Sequence, residues 1–213
     1  RHGFLGLHPS LLPRYRGANP VAWAILQGET VTGVTVFRLN KRMDAGDILL
    51  QEPVPIAPDD TTERLSTRLA QQGARVLVQA CAQLEREAVL ARPQDERQAT
   101  YTAKFTKRHG QIEWTQSAVS IERLIRAAIP WPGAWTSWQG RLLKIWAAGV
   151  QPSGDSPAGH PGEVLRAGPE NIAVATADGV FVIQEVQLAG GRRLSAREFL
   201  AGHALGRGDR LGA

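Results

Sequence analysis

The chain has 213 residues, 43% of them hydrophobic and 21% charged, the composition of a soluble globular protein of one or two domains. Nothing in it reaches the run of about 18 apolar residues that a membrane span needs. Its opening Arg1-His2-Gly3-Phe4 lacks the charged-then-apolar pattern of a signal peptide. One cysteine, Cys81, excludes an internal disulfide and favours a reducing, cytoplasmic setting. Residues 104–213 carry +4 of the formal net charge of +5. That surplus is compatible with an anionic partner such as RNA, and equally with an ordinary solvated surface.

In chain order, Gly3-Phe4-Leu5-Gly6-Leu7 is short, apolar and glycine-bounded, and reads as a buried strand. Pro9 and Pro13 then forbid an immediate helix. His8 is therefore left on an irregular loop at the C-terminal end of a strand, which is where open α/β sheets bind ligands. Residues 20–27 read as a short helix with Pro20 in its first turn and Gly28 at its stop. Residues 33–39 alternate and are β-branched, hence a strand. A second strand spans residues 48–56, where Pro53 and Pro55 suit a sheet edge. Asp59-Asp60-Thr61-Thr62 with Glu63 signals a helix start, and Leu65, Leu69, Gly73, Val76 and Ala80 recur at helical spacing to about Leu84. Cys81 in that helix reads as a packed small residue.

Residues 89–103 lose the apolar rhythm and read as an interdomain linker between domains at 1–88 and 104–213. Residues 111–114 suggest a short strand, and residues 117–128 an amphipathic helix ended by Pro130-Trp131-Pro132-Gly133. Five short strands follow, at 134–138, 142–146, 162–165, 172–175 and 180–183, with hairpin signals at Gln139-Gly140 and Asp178-Gly179. Their spacing predicts a small β-barrel. Residues 152–161 read as a Gly/Ser/Pro-rich surface loop, and residues 195–200 as a terminal helix with a serine cap.

Two strings carry chemistry. The first is Leu7-His8-Pro9-Ser10-Leu11-Leu12-Pro13-Arg14-Tyr15-Arg16-Gly17; the second is Met43-Asp44-Ala45-Gly46-Asp47-Ile48. Asp44 and Asp47 lack the further oxygen ligands of a calcium loop, and no Cys/His cluster suits zinc, so no metal is expected. The first string resembles the signature loop of the folate-dependent formyltransferases, usually Asn-x-His followed by Ser-Leu-Leu-Pro and Arg-Gly. The family's catalytic aspartate opens an Asp-x-Gly string about 36 positions after the histidine, and His8 and Asp44 have that separation. The resemblance implies that His8 and Asp44 are catalytic. It also implies that Ser10, Leu11, Leu12 and Pro13 contact 10-formyltetrahydrofolate, the formyl donor. His8 is suited to stabilise the oxyanion formed when an amine attacks the formyl carbon. Asp44 would hold the imidazole or carry the proton. The family's asparagine, a second oxyanion donor, is replaced here by Gly6.

Thr100-Tyr101-Thr102-Ala103-Lys104, Ile112-Glu113-Trp114, Ile125-Arg126-Ala127, Leu143-Lys144-Ile145 and the tail Gly208-Asp209-Arg210-Leu211-Gly212 resemble the accessory domain of the methionyl-tRNA formyltransferases. Pro130-Trp131-Pro132-Gly133-Ala134 is shared with sugar-nucleotide formyltransferases and does not discriminate. The resemblance implies an α/β partial open sheet, the C-terminal half of a Rossmann-like formyltransferase domain, followed by a small oligonucleotide-binding (OB)-like β-barrel. It further implies that the chain is the C-terminal portion of a longer monomeric, cytoplasmic enzyme with initiator methionyl-tRNA as partner. Lys104, Lys107, Arg108, Arg141, Lys144, Arg192 and Arg193 are candidate tRNA phosphate contacts. Trp114, Trp131, Trp135, Trp138 and Trp146 suit base stacking or, falling in apolar runs, a barrel core. A UDP-amino-sugar formyltransferase and a catalytically impaired tRNA-binding remnant are the alternatives.

Overall fold

A computed structural model describes residues 3–86, 88, 90–151 and 159–212. Arg1, His2, Glu87 and Val89, and most of the expected loop at 152–161, lie outside the described residues. The chain divides into two compact units, Arg1–Phe105 and Thr106–Ala213.

In the first unit the apolar run before His8 forms β1 (Leu5–His8). The loop that follows ends in a two-residue strand, β2 (Arg16–Gly17). Pro20, whose missing N–H costs nothing at a helix start, opens α1 (Pro20–Leu26). Next come β3 (Val31–Arg38), β4 (Ile48–Pro55) and α2 (Thr62–Glu85). After a 3-10 turn at Glu96–Gln98, β5 (Tyr101–Thr102) closes the unit.

β1, β3 and β4 form a three-stranded sheet in that order, antiparallel throughout. The turn between β3 and β4 reverses the chain, so these strands do not display the parallel order that a Rossmann-like sheet implies. β4 is an edge strand, and both of its prolines are tolerated there. α2 buries Leu65, Leu69, Gly73, Val76, Ala80 and Leu84 along one stripe, each leucine contributing about 1.5–3 kcal/mol of hydrophobic stabilisation. Thr61 caps the helix by accepting the Arg64 N–H. Cys81, expected inside, is exposed; the stripe through Ala80 and Leu84 turns the next residue to solvent.

The segment expected to be a linker is packed instead. Arg92 and Ile48 exchange two backbone hydrogen bonds at 2.8 Å, Gln94 is buried, and β5 pairs in parallel with β2. Polar residues hide this role because they fill a hydrogen-bonding niche rather than an apolar one.

In the second unit, α3 (Ala118–Ala127) is capped by Ser117 and buries Ile121, Leu124 and Ile125. Residues 111–114, expected as a strand, make only a single bridge, Gln111 to Trp135, before the chain turns. β6 (Ala134–Trp138), β7 (Arg141–Gln151), β8 (Val164–Ala167), β9 (Ile172–Ala175), β10 (Val180–Leu188) and β11 (Leu194–Ser195) form one antiparallel sheet. Its order is β6-β7-β10-β9-β8, with β11 on β10. Gln139 and Gly140, both at positive φ, make the tight turn that joins β6 to β7. α4 (Ala196–Gly202) starts at a Ser195/Glu198 capping box.

A closed barrel is not formed among the described strands, because β6 and β8 do not pair with each other. The tail occupies the space between them. Val164 N–H donates to the Asp209 carbonyl, Gly208 N–H to Val164, Leu211 N–H to Gly162 and Gly212 N–H to Ser137. Leu211 is buried beneath this seam. The tail thereby hydrogen-bonds to both sheet edges without a closing strand pair.

Candidate active site

His8 ends β1 and is buried. Its Nε2 is 2.8 Å from the backbone carbonyl of Tyr15, so this nitrogen carries the proton. Nδ1 faces Asp44 Oδ2 at 3.6 Å, beyond hydrogen-bond length. Asp44 Oδ2 accepts the Gly17 N–H at 2.7 Å. The sheet register and the β3–β4 turn thus bring together the two residues expected to be catalytic. Asp44 itself, at φ 49°, and Tyr15, at φ 60°, whose carbonyl meets His8, are strained. Left-handed backbone at such residues costs about 1–3 kcal/mol and concentrates at functional sites. Gly46 is obligatory in the Asp44 turn, since any side chain there would collide with the Arg38 carbonyl.

Ser10 to Pro13 hold the loop from within. Ser10 Oγ donates to the Arg14 carbonyl and Thr35 Oγ1 donates to the Ser10 carbonyl, both at 2.6 Å. Leu12 N–H donates to Thr35 Oγ1, and the Leu12 side chain packs with Phe37 and Ile48. Leu11 lies against Gly33, and the Pro13 carbonyl accepts the Thr100 N–H. Gly6, two residues before His8 on the same face of β1, has the Phe37 ring where a side chain would be: a Cβ would fall 2.6 Å from it.

Sequence reasoning missed the polar frame beneath the loop. Arg16 is fully buried. It donates to Gln94 Oε1 from Nε and Nη2, to Glu96 from Nη1 and Nη2, and to the Tyr101 hydroxyl. Arg42 reaches Glu96 from outside. Hydrogen bonds from Arg16 and Arg42 hold the Glu96 carboxyl down to about 2. Beside the loop, Arg14 and the Tyr15 hydroxyl both donate to Glu29. Burial, then the Glu29 hydrogen bond, raises the Tyr15 phenol above its ordinary range. These three residues line a cavity of about 510 Å³ with Trp23, Gln27 and residues 100–103. The only sequence signal for the frame was Arg16 itself, a charge inside an otherwise loop-like string.

Of the candidate phosphate-contacting cations, Lys104 is exposed in the first unit. In the second unit Lys107, Arg108 and Lys144 line one cavity of about 480 Å³ with Trp131, Trp135 and Leu142. The Lys144 ammonium donates to the Pro132 carbonyl at 2.9 Å. Arg193 lies over the Trp146 ring, 3.5 Å from its centroid. Arg141 reaches the Ala189 carbonyl, and Arg192 pairs loosely with Glu198. Trp114 and Trp138 are buried as core, whereas Trp131 is 53% exposed.

Residues 1–81 match the family described as "Formyl transferase", and residues 104–204 match "Formyl transferase, C-terminal domain". Matching fold and matching sequence define the class of this protein as a formyl transferase. Three curated relatives named methionyl-tRNA formyltransferase make the assignment finer. The protein from Alkaliphilus oremlandii is 39% identical over 100% of this chain and 68% of its own. That from Thiobacillus denitrificans is 44% identical over 100% and 68%, and that from Roseiflexus sp. 46% identical over 99% and 64%. The chain belongs to the methionyl-tRNA formyltransferase family. It spans about two thirds of the length of these relatives. Among solved structures, HypX from Aquifex aeolicus in complex with tetrahydrofolic acid shares the fold at TM-score 0.67 and 24% identity, over 92% of this chain and 34% of that one. An N-formyltransferase from Helicobacter canadensis, in complex with folinic acid and dTDP-3-aminofucose, does so at TM-score 0.69 and 20% identity, over 90% and 66%.

Proposed function

We propose that this chain carries the catalytic pair and the RNA-binding part of an enzyme that formylates the amino group of initiator methionyl-tRNA, the step that prepares it for translation initiation. 10-Formyltetrahydrofolate supplies the formyl group, and Ser10 to Pro13 contribute to its site. Relatives carrying the activity in their names cover the whole chain, and the His8–Asp44 arrangement fits the chemistry. The enzyme works as a cytoplasmic monomer, and the second unit is its OB-like tRNA-binding domain. Among the described residues no helix is long and apolar enough to cross a membrane.

Acyl transfer to an amine needs a donor for the developing oxyanion and a path for the amine proton. The Tyr15 carbonyl accepts a hydrogen bond from the His8 Nε2–H and fixes the ring plane. Nδ1, unengaged at hydrogen-bond distance by Asp44, is then the nitrogen that meets the reacting groups. Protonated, it donates to the oxyanion; neutral, it takes a proton. Asp44, anchored by Gly17, supplies the negative charge that stabilises the imidazolium and relays the proton. As the new C–N bond forms and the bond to the folate nitrogen breaks, the amine proton passes to the leaving nitrogen.

The observation that carries this reading is the approach of His8 Nδ1, at the end of β1, to Asp44 in the β3–β4 turn. The test is formyl transfer from 10-formyltetrahydrofolate by the full-length gene product, with methionyl-tRNA and a UDP-amino-sugar as competing acceptors. Transfer to methionyl-tRNA alone is the expected result; transfer to the sugar alone overturns the assignment.

A further inference from the structure

Gln94 lies outside both matched segments, in the polar stretch between residues 81 and 104, yet it is buried and all of its amide capacity is used. Its Oε1 accepts Arg16 Nε at 3.0 Å and Nη2 at 2.7 Å. Its Nε2 donates to the Asp44 carbonyl and to the Gly46 carbonyl, each at 2.8 Å. One side chain therefore ties the buried guanidinium of β2 to the backbone on both sides of Ala45, in the turn that presents the Asp44 carboxylate. We propose that Gln94 is a positioning residue for the transfer reaction, acting through Asp44; this rests on the function proposed above.

The physical case starts from the strain at Asp44. A non-glycine residue at φ 49° stays there only if its surroundings over-determine it. The Gly17 N–H fixes the carboxylate end, and Gln94 fixes the carbonyl end. Gly17 and Arg16 are adjacent in β2, whose place is set by pairing with β5. Gln94 itself is placed by the Arg92–Ile48 bridge two residues earlier. The carboxylate is thus held from two sides by one rigid frame, while Gln94 touches neither the carboxylate nor His8. Glu96 completes the frame by pairing with Arg16 at 2.9 Å. A displacement of about 1 Å caused by a change away from the chemistry can cost about 10²-fold in rate.

Gln94→Glu separates the two halves of this role. It keeps an acceptor for Arg16 but sets a carboxylate against the Asp44 and Gly46 carbonyls, which lose their donors. Gln94→Met removes both halves at similar volume. In the full-length gene product, each variant is expected to lower kcat by up to about 10²-fold with KM for both substrates within about twofold. Asp44→Asn/Gln94→Met is expected to fall no further than Asp44→Asn alone, the signature of a residue acting through another. The ring resonances of His8 in histidine-labelled protein should shift in either Gln94 variant, although the amide does not touch the ring. Unaltered kcat, additive losses in the double variant or unmoved His8 resonances would overturn the proposal. If wild-type protein transfers no formyl group to any acceptor, the functional reading falls, and the His8 resonances alone decide whether Gln94 sets the geometry of the pair.

Discussion

The Gly17 N–H and the Asp44 carboxylate meet at 2.7 Å across 27 residues of sequence. That bond turns two loops into one site, because Gly17 follows the buried Arg16 and Asp44 faces His8. The carboxylate cannot drift from the imidazole without breaking a charge-assisted hydrogen bond to backbone, roughly twice as strong as a neutral one.

Asp44→Asn tests the charge apart from the anchor. The asparagine amide oxygen can still accept the Gly17 N–H, so the loops stay joined, but the negative charge opposite His8 is gone. Formyl transfer is expected to drop about 10²–10⁴-fold in kcat, with the melting temperature nearly unchanged. A variant with wild-type kcat would remove Asp44 from the proton path.

Gly6→Asn would restore the family's second oxyanion donor, but the structure shows why the single change is not expected to work. The Phe37 ring fills the space, and Phe37 belongs to the core with Leu12 and Ile48. Overpacking of this kind costs about 1–3 kcal/mol, so Gly6→Asn alone should destabilise the protein in chemical denaturation and gain little rate. Combined with Phe37→Leu, the asparagine Cβ still meets Leu39 Cδ2 at 2.8 Å, but Leu39 is an exposed side chain and can turn away into solvent. The pair is expected to exceed Phe37→Leu alone by up to about 10²–10³-fold in kcat, the weight of one oxyanion donor. Equal rates in those two proteins would mean that another group already serves the oxyanion.

How far the sequence reveals this site depends on the kind of residue involved. The stripe of Leu65, Leu69, Gly73, Val76 and Ala80 is legible because burying it requires helical spacing. Both prolines of β4 point to a sheet edge because they lack an N–H. His8 and Asp44 are legible only as a pair of strings. Gln94 and Glu96 are opaque, since buried polar residues have no period and their segment resembles a solvated linker; Arg16 is visible only as the arginine before Gly17 in the first string. The tail that spans β6 and β8 is hidden for a related reason: its role is carried by backbone groups, which every sequence has.

Acid should loosen the first unit through Glu96. Its folded carboxyl sits at about 2, below the ordinary value of 4.5, so the unfolded chain binds protons first as pH falls. The contribution of its pairing with Arg16 and Arg42 is therefore complete above about pH 4.5 and disappears as pH drops toward about 2. Glu96→Gln should be less stable than wild type near neutrality, and the gap should close across that window. Asp60 is also held low: burial opposes its charge, but the Arg68 guanidinium and the Ala57 N–H prevail. Only the difference between the two proteins in urea midpoints therefore isolates Glu96, and a pH-independent difference would contradict the frame described for Arg16.

Lys107 and Arg108 provide the test of the second unit as an RNA surface. Both are exposed and line the cavity with Trp131, and neither makes an ion pair among the described residues. If they neutralise phosphates, Lys107→Gln and Arg108→Gln should each weaken tRNA binding similarly for any acceptor-stem sequence. Each should also reduce the slope of log affinity against log salt by about 1. Arg193 makes a useful contrast, because its guanidinium is already seated on Trp146 and part of what Arg193→Gln removes is that stacking within the protein. Binding measured by filter retention from low to moderate salt checks both expectations. Slopes unchanged in the Lys107 and Arg108 variants would place the phosphate contacts elsewhere on the unit.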